Sequence, residues 1–249
     1  MVWSPKDHLP GLTVWLDNRV GLNFDGSAKL TSWVDQSGNG NNGVVTAPCA
    51  GPSRAVGSLA GQDTLLFSET GGVGTCVAIA DAATIEFGTG DFAVFMVARY
   101  TNTPDALGAG DATPNFFSKI QNASPGTGVH LFGNTSTEAK MQFWENNIVG
   151  NSVVGATPGL NDNVFRRIGA TRRGLDLEVW VQGVSDGKIV LGSALDLSQP
   201  GRPLNLGGVP ESYRSSLHGN IAEVIVVKGN LTNAQLADLD TYFKTKHGL

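Results

Sequence analysis

A tryptophan that shares a strand face with carboxylates and amides can hold a sugar. The indole stacks on the apolar C–H face of the ring while its neighbours bond the hydroxyls. Two stretches of this 249-residue chain have that composition. In Met141-Gln142-Phe143-Trp144-Glu145 the strand period of two places Gln142 with Trp144, and Met141 with Phe143. In Asp176-Leu177-Glu178-Val179-Trp180-Val181-Gln182 the leucine and valines share one face, leaving Trp180 with Asp176, Glu178 and Gln182 on the other. Trp144, Trp180, Gln142 and Glu178 are therefore the candidate glycan-binding residues. The competing reading covers each indole with a loop or an oligomer partner.

Other residue sets point to less. Asp35 and the carbonyls around it are oxygen donors of the kind a Ca²⁺ ion accepts. The alternative is an aspartate that caps its own turn by accepting backbone N–H groups. Glu223 lies inside an apolar run and needs paired donors if it is buried, so it reads as structural. Straight alternation places it between Ile221 and Ile225 on one face. Arg166-Arg167 and Arg172-Arg173 suit either an acidic glycan or, as solvated strand residues, neighbouring carboxylates. Glycoside hydrolysis usually needs two carboxyls facing each other across the bond, and Asp176 with Glu178 lacks a third acid nearby. His8, His130, His218 and His247 are scattered, with no zinc spacing. No Gly-x-Ser-x-Gly elbow occurs, and Gly71-Gly72-Val73-Gly74 lacks the Lys-Ser/Thr of a phosphate loop. No catalytic residue is assigned.

The elements that must position these residues are strands. They are expected at Leu12–Asp17, Leu30–Val34, Thr64–Phe67, Val77–Ile79 and Asp91–Tyr100, then near 116–120, 128–132, 140–145, 164–171, 175–182, 203–206 and 217–228. Ile221 to Val227 is a β-branched, apolar run interrupted only by Ala222 and Glu223, the pattern of a strand covered on both faces. Residues 46–63, rich in Pro, Gly, Ala and Ser, read as a long surface connection, and Asp81 to Phe87 as a helical turn. Thr232 stands three residues before Gln235, the spacing of a capping box. Leu236, Leu239 and Phe243 then form one apolar stripe, Lys244, Lys246 and His247 suit the negative end of a helix dipole, and Gly248 stops it. Many short strands with glycine-rich turns predict an all-β sandwich over residues 1–249 as a single domain. A boundary inside 46–63 would leave neither half a full core.

Four segments carry a resemblance. The end of the chain, from Leu217-His218-Gly219-Asn220-Ile221-Ala222-Glu223-Val224-Ile225 to the helix, is similar to the close of concanavalin A-like, laminin-G-like jelly-roll domains. Trp33-Val34-Asp35-Gln36-Ser37-Gly38-Asn39-Gly40-Asn41-Asn42-Gly43 resembles a loop of their bacterial and phage members. Asp91 to Arg99 and Leu177 to Gly183 resemble two further strands of that family. The resemblance implies two antiparallel sheets with a short C-terminal helix, structural roles for Trp33 and Glu223, and calcium as a cofactor in many relatives. It leaves function open, since this sandwich serves lectins, adhesive modules, glycan-active enzymes and virion proteins.

Composition narrows the classes. The net charge is −5 with no basic block, which argues against nucleic acid and anionic membranes. No apolar run reaches the roughly 18 residues of a membrane span. Cys49 and Cys76 are too few for a disulfide framework and are expected as two unpaired thiols, pairing only if the fold brings their Cα atoms within about 7 Å. The first residues lack a signal-peptide pattern. The expectation is a non-catalytic recognition or adhesion module, extracellular or on a virion surface as a decoration, fibre or tail component. Its partner would be a glycan or a protein lattice, with a homo-oligomer open. A glycan-active lyase or hydrolase and a secreted lectin module are the alternatives.

Overall fold

The computed structural model describes residues 3–70, 73–101, 114–121, 127–134, 140–145, 151–208 and 216–249. In chain order they form α1 (Pro5–His8), β1 (Leu12–Asp17), β2 (Leu22–Phe24), β3 (Leu30–Trp33), β4 (Gly43–Val44), β5 (Ser53–Leu59), β6 (Gln62–Phe67), β7 (Glu69–Thr70), β8 (Val73–Gly74) and β9 (Val77–Ile79). After a 3₁₀ turn at Ala83–Ile85 come β10 (Phe92–Tyr100), β11 (Asn115–Gln121), β12 (Thr127–Asn134), β13 (Lys140–Glu145) and β14 (Ser152–Val154). The chain continues through β15 (Arg166–Arg173), β16 (Asp176–Val181), β17 (Val184–Val190), β18 (Leu204–Leu206) and β19 (Gly219–Lys228), and closes on α2 (Asn233–His247).

Two antiparallel sheets face each other in the expected jelly-roll sandwich. One runs β17-β16-β15-β10-β19-β6-β5, with β1 also paired to β19. The other runs β14-β13-β12-β11-β18-β9-β4-β3-β2. Strand β19 is central because it is shared: Glu223 to Val227 pair with β1, Gly219 to Ile221 with β6, and its other edge with β10. Between the sheets lies an apolar cluster that includes Trp33, Phe67, Phe92, Met96, Phe117, Phe143, Val179 and Val224. Trp33 is fully buried, and its Nε1 donates to the Asp17 carbonyl at 3.0 Å.

The outer face of the first sheet is covered too. Leu236, Leu239 and Phe243 of α2 pack on Phe95, Val97, Ile225 and Val227, which explains why β10 and β19 are apolar on both sides. Thr232 and Gln235 make the predicted capping box, and Gly248 takes the left-handed conformation with φ 68°.

Three readings need correction. Residues 46–63 are not all connection, since Ser53–Leu59 is edge strand β5; its polar, mostly open positions and Gly57 hide it in the sequence. Arg167 and Arg172 are not solvated. Arg172 is fully buried, meets Glu145 of the opposite sheet at 3.3 Å, and caps carbonyls of Gly88, Gly90 and Leu195. Cys49 and Cys76 are joined, with their Cα atoms 5.5 Å apart. Composition could not reveal that pair, because the approach depends on two loops meeting across 27 residues of sequence.

Replacing both cysteines by alanine should lower unfolding stability by about 2–4 kcal/mol, because the open chain regains loop entropy. A urea midpoint at unchanged m-value measures it, and an unmoved midpoint would count against the pairing.

Candidate functional site

The most specific chemistry in the molecule converges on Glu223. A bulge in β19 sets its direction: Val97 of β10 pairs with Glu223 but Ala98 pairs with Ile221, so Ala222 is the extra residue. Ile221 therefore points into the core between the sheets, while Glu223 joins Ile225 on the face beneath α2. Simple alternation had placed all three together. The carboxylate is fully buried. Its Oε1 accepts from Trp15 Nε1 at 2.7 Å, Tyr242 OH at 2.7 Å and Lys246 Nζ at 2.9 Å, and Oε2 meets His247 Nε2 at 2.6 Å. Burial pushes the Glu223 carboxyl up, but the bond to His247, the charges of Lys246 and His247 and the Tyr242 hydroxyl outweigh it, holding the group below its ordinary value. Burial and the adjacent Glu223 push the Tyr242 hydroxyl well above its usual range, so it stays a donor.

The Ser37–Asn42 loop holds the other side of β1. Gly38 and Gly40 sit at φ 95° and 74°, as the loop's tight path requires. The Asp35 carboxylate accepts from the N–H groups of Trp15, Ser37 and Asn41 and from Ser37 Oγ, all at 2.7–3.0 Å. Asn39 and Asn41 add bonds to the carbonyls of Leu12 and Thr13. Both carboxylate oxygens of Asp35 thus face N–H and O–H donors. Among the described residues no group of three or more His, Cys, Asp or Glu is placed to hold a metal ion. Trp15 is consequently fixed twice, its backbone by Asp35 and its indole by Glu223.

Above this support opens a cleft of about 560 Å³ between α2, β1 and the first residues of the chain. Its aromatic wall is Trp3, Trp15 and Tyr242, with Trp3 stacked on His8 at 5.3 Å and tilted against Tyr242 at 5.0 Å. Asp17, Arg19, Asp238 and Lys246 supply charge around it, and Ser4, Thr241 and Thr245 supply hydroxyls. Lys246 also bonds Asp17 at 2.7 Å. The size and mixed lining are those of a small-ligand site.

The sequence candidates lie elsewhere. Glu178 is buried against Arg173 at 2.7 Å. Trp180 is partly buried on the same outer face, donates to Thr171 Oγ1 at 3.0 Å and meets Phe95 edge-on. Gln142 alternates with buried Met141 and Phe143, so it faces outward from the opposite sheet, where it bonds Ser152 at 3.2 Å. The fold brings Trp180 and Glu178 together but sets Gln142 on the far side of the sandwich. The side chain of Trp144 lies outside the described residues. What the sequence reasoning missed was Trp15, although alternation along Leu12–Asp17 places it with Thr13 and Asp17, the same mixed face that singled out Trp180. Tyr242 had a signal as well: Asp238, Thr241, Tyr242, Thr245 and Lys246 recur at i, i+3, i+4, i+7 and i+8, one helix face.

No family model matches the chain, and no curated protein does. Solved structures do. The binding domain of Paraclostridial Mosquitocidal Protein 1 is 15% identical with a TM-score of 0.68, over 96% of this chain and 53% of that one. Botulinum neurotoxin type C, which depends on two ganglioside molecules to get into cells, is 10% identical with a TM-score of 0.62 over 96% and 53%. Trypanosoma rangeli sialidase, in complex with sialic acid, is 12% identical with a TM-score of 0.57 over 93% and 33%. The chain spans about half the length of the toxin domains. At these identities the likeness shows the fold alone, a jelly-roll β-sandwich of two antiparallel sheets.

Glu223→Gln should destabilise the fold by about 3–5 kcal/mol near neutral pH, since it removes the buried charge on which the Trp15, Tyr242, Lys246 and His247 bonds converge. The wild-type carboxyl titrates below its ordinary value of 4.5, so its contribution is complete above that pH and drains away as pH falls through the lower folded value. The gap between the urea midpoints of wild type and variant should therefore narrow progressively as pH falls below 4.5. A gap that stays constant would contradict the charged network.

Proposed function

We propose that this chain is a non-catalytic recognition module of an outer surface, related to the laminin-G-like domains, and that it holds a glycan in the Trp3–Trp15–Tyr242 cleft. The observation that carries this reading is the cleft itself: three aromatic rings beside hydroxyls and charges, two of the rings, Trp15 and Tyr242, being fixed from below by a saturated carboxylate. Aromatic faces suit the C–H side of a pyranose, and a rigid wall reduces the ordering cost of binding. The sandwich neighbours include a ganglioside-dependent toxin and a sialic-acid complex, which supports a glycan-facing role without placing it. A disulfide suits an oxidising setting outside the cytoplasm, compatible with an extracellular or virion surface. Among the described residues no helix is long and apolar enough to cross a membrane.

A protein partner is favoured by one separate observation. Strand β17, at the end of its sheet, exposes Val184 and Val190 at 63% and 69%, and exposed apolar side chains on an end strand can meet another chain or a second copy. Light scattering over a concentration range tests that arm.

A glycan array probed with the full chain and two variants tests the main reading. Trp3→Ala should lose at least roughly tenfold in affinity, as truncated aromatic anchors do. Trp180→Ala, packed beside Phe95 and Thr171, should bind as wild type. Loss in Trp180→Ala with retention in Trp3→Ala would move the site to β16.

A further inference from the structure

The charges of the cleft say more than its shape. Resting on the glycan reading above, we infer that the cleft selects a short neutral oligosaccharide and discriminates against sialylated and other anionic sugars.

Lys246 looks like the natural partner of a sugar carboxylate, but its three N–H donors are spent. They go to Asp17 at 2.7 Å, Glu223 at 2.9 Å and the Tyr242 oxygen at 2.9 Å. The same ammonium lies 5.8 Å from the Trp15 ring centroid and 5.2 Å from that of Tyr242, so the place where an aromatic wall would take a cation is filled by the protein itself. Asp17 is neutralised by that lysine and also accepts the Arg19 backbone N–H. The Arg19 guanidinium donates to the Lys246 carbonyl in the last turn of α2. That turn is the negative end of the helix dipole.

What remains for a ligand is balanced. Asp238 lines the cleft and makes no ion pair among the described residues, while Arg19 is held against the helix end. A sugar carboxylate would meet Asp238, inside a protein of net charge −5, while the charge of Arg19 is offset by the negative helix end to which it donates. Neutral sugar hydroxyls, by contrast, can donate to Asp238 without that repulsion. The three rings then supply stacking that is indifferent to charge.

The test is a biosensor titration of the full chain with neutral trisaccharides of glucose, galactose and N-acetylglucosamine, each beside its sialylated counterpart. Wild type should bind at least one neutral sugar roughly tenfold or more tighter than its sialylated partner. Asp238→Asn, an exposed change, should narrow that preference. If the sialylated forms bind tighter and Trp3→Ala abolishes them, the cleft reading stands and the neutral preference falls. If no saccharide binds, or binding ignores Trp3→Ala, both fall.

Discussion

A carboxylate with no access to water is tolerated only when its lone pairs are saturated by donors. Glu223 meets that condition with partners from two elements distant in sequence: the Trp15 indole from β1, and Tyr242, Lys246 and His247 from α2. This constraint gives the molecule something its apolar surfaces cannot. Leu236, Leu239 and Phe243 would hold α2 to the sheet in several rotations at similar free energy. Directional bonds to one buried carboxylate, joined by the Arg167–Asp240 pair, select one. The angle of the Trp15 ring and the place of Tyr242 in the cleft follow from the Glu223 bonds.

The same constraint ties the two most recognisable segments of the chain together. The loop after Trp33 fixes the backbone of Trp15 through Asp35, and the Glu-Val segment of β19 fixes its indole through Glu223. The two segments serve one strand, β1, from opposite sides. Strand β1 in turn shares an edge of β19 with β6, so the support of the cleft is continuous with the centre of the larger fold.

The sandwich was legible because its central strands are covered on both faces and therefore apolar throughout, as Phe92–Tyr100 and Gly219–Lys228 are. The edges were not. Strands β5, β14 and β17 carry polar, open positions or are only three residues long, and nothing in such a pattern distinguishes a strand from a loop. That Glu223, inside an apolar run, would need paired donors could be read from residue type and context. The direction of Glu223 could not, because one inserted residue, Ala222, reverses the alternation that would predict it. A tryptophan on a mixed strand face fits Trp15 as well as Trp180, and only the third dimension separates the indole lining the larger cleft from the one packed beside Phe95.

The central claim is that ligand recognition occurs where Glu223 has fixed the aromatic wall. Its most direct test is the set of tryptophan indole N–H resonances in a ¹⁵N-labelled sample, followed while a neutral trisaccharide is added. The signals of Trp3 and Trp15 should move with one common saturation curve, while those of Trp33, sealed between the sheets, and Trp180, bonded to Thr171, stay in place. Movement of the Trp180 or Trp144 signal, with Trp3 and Trp15 unmoved, would contradict the account and place recognition on the strands.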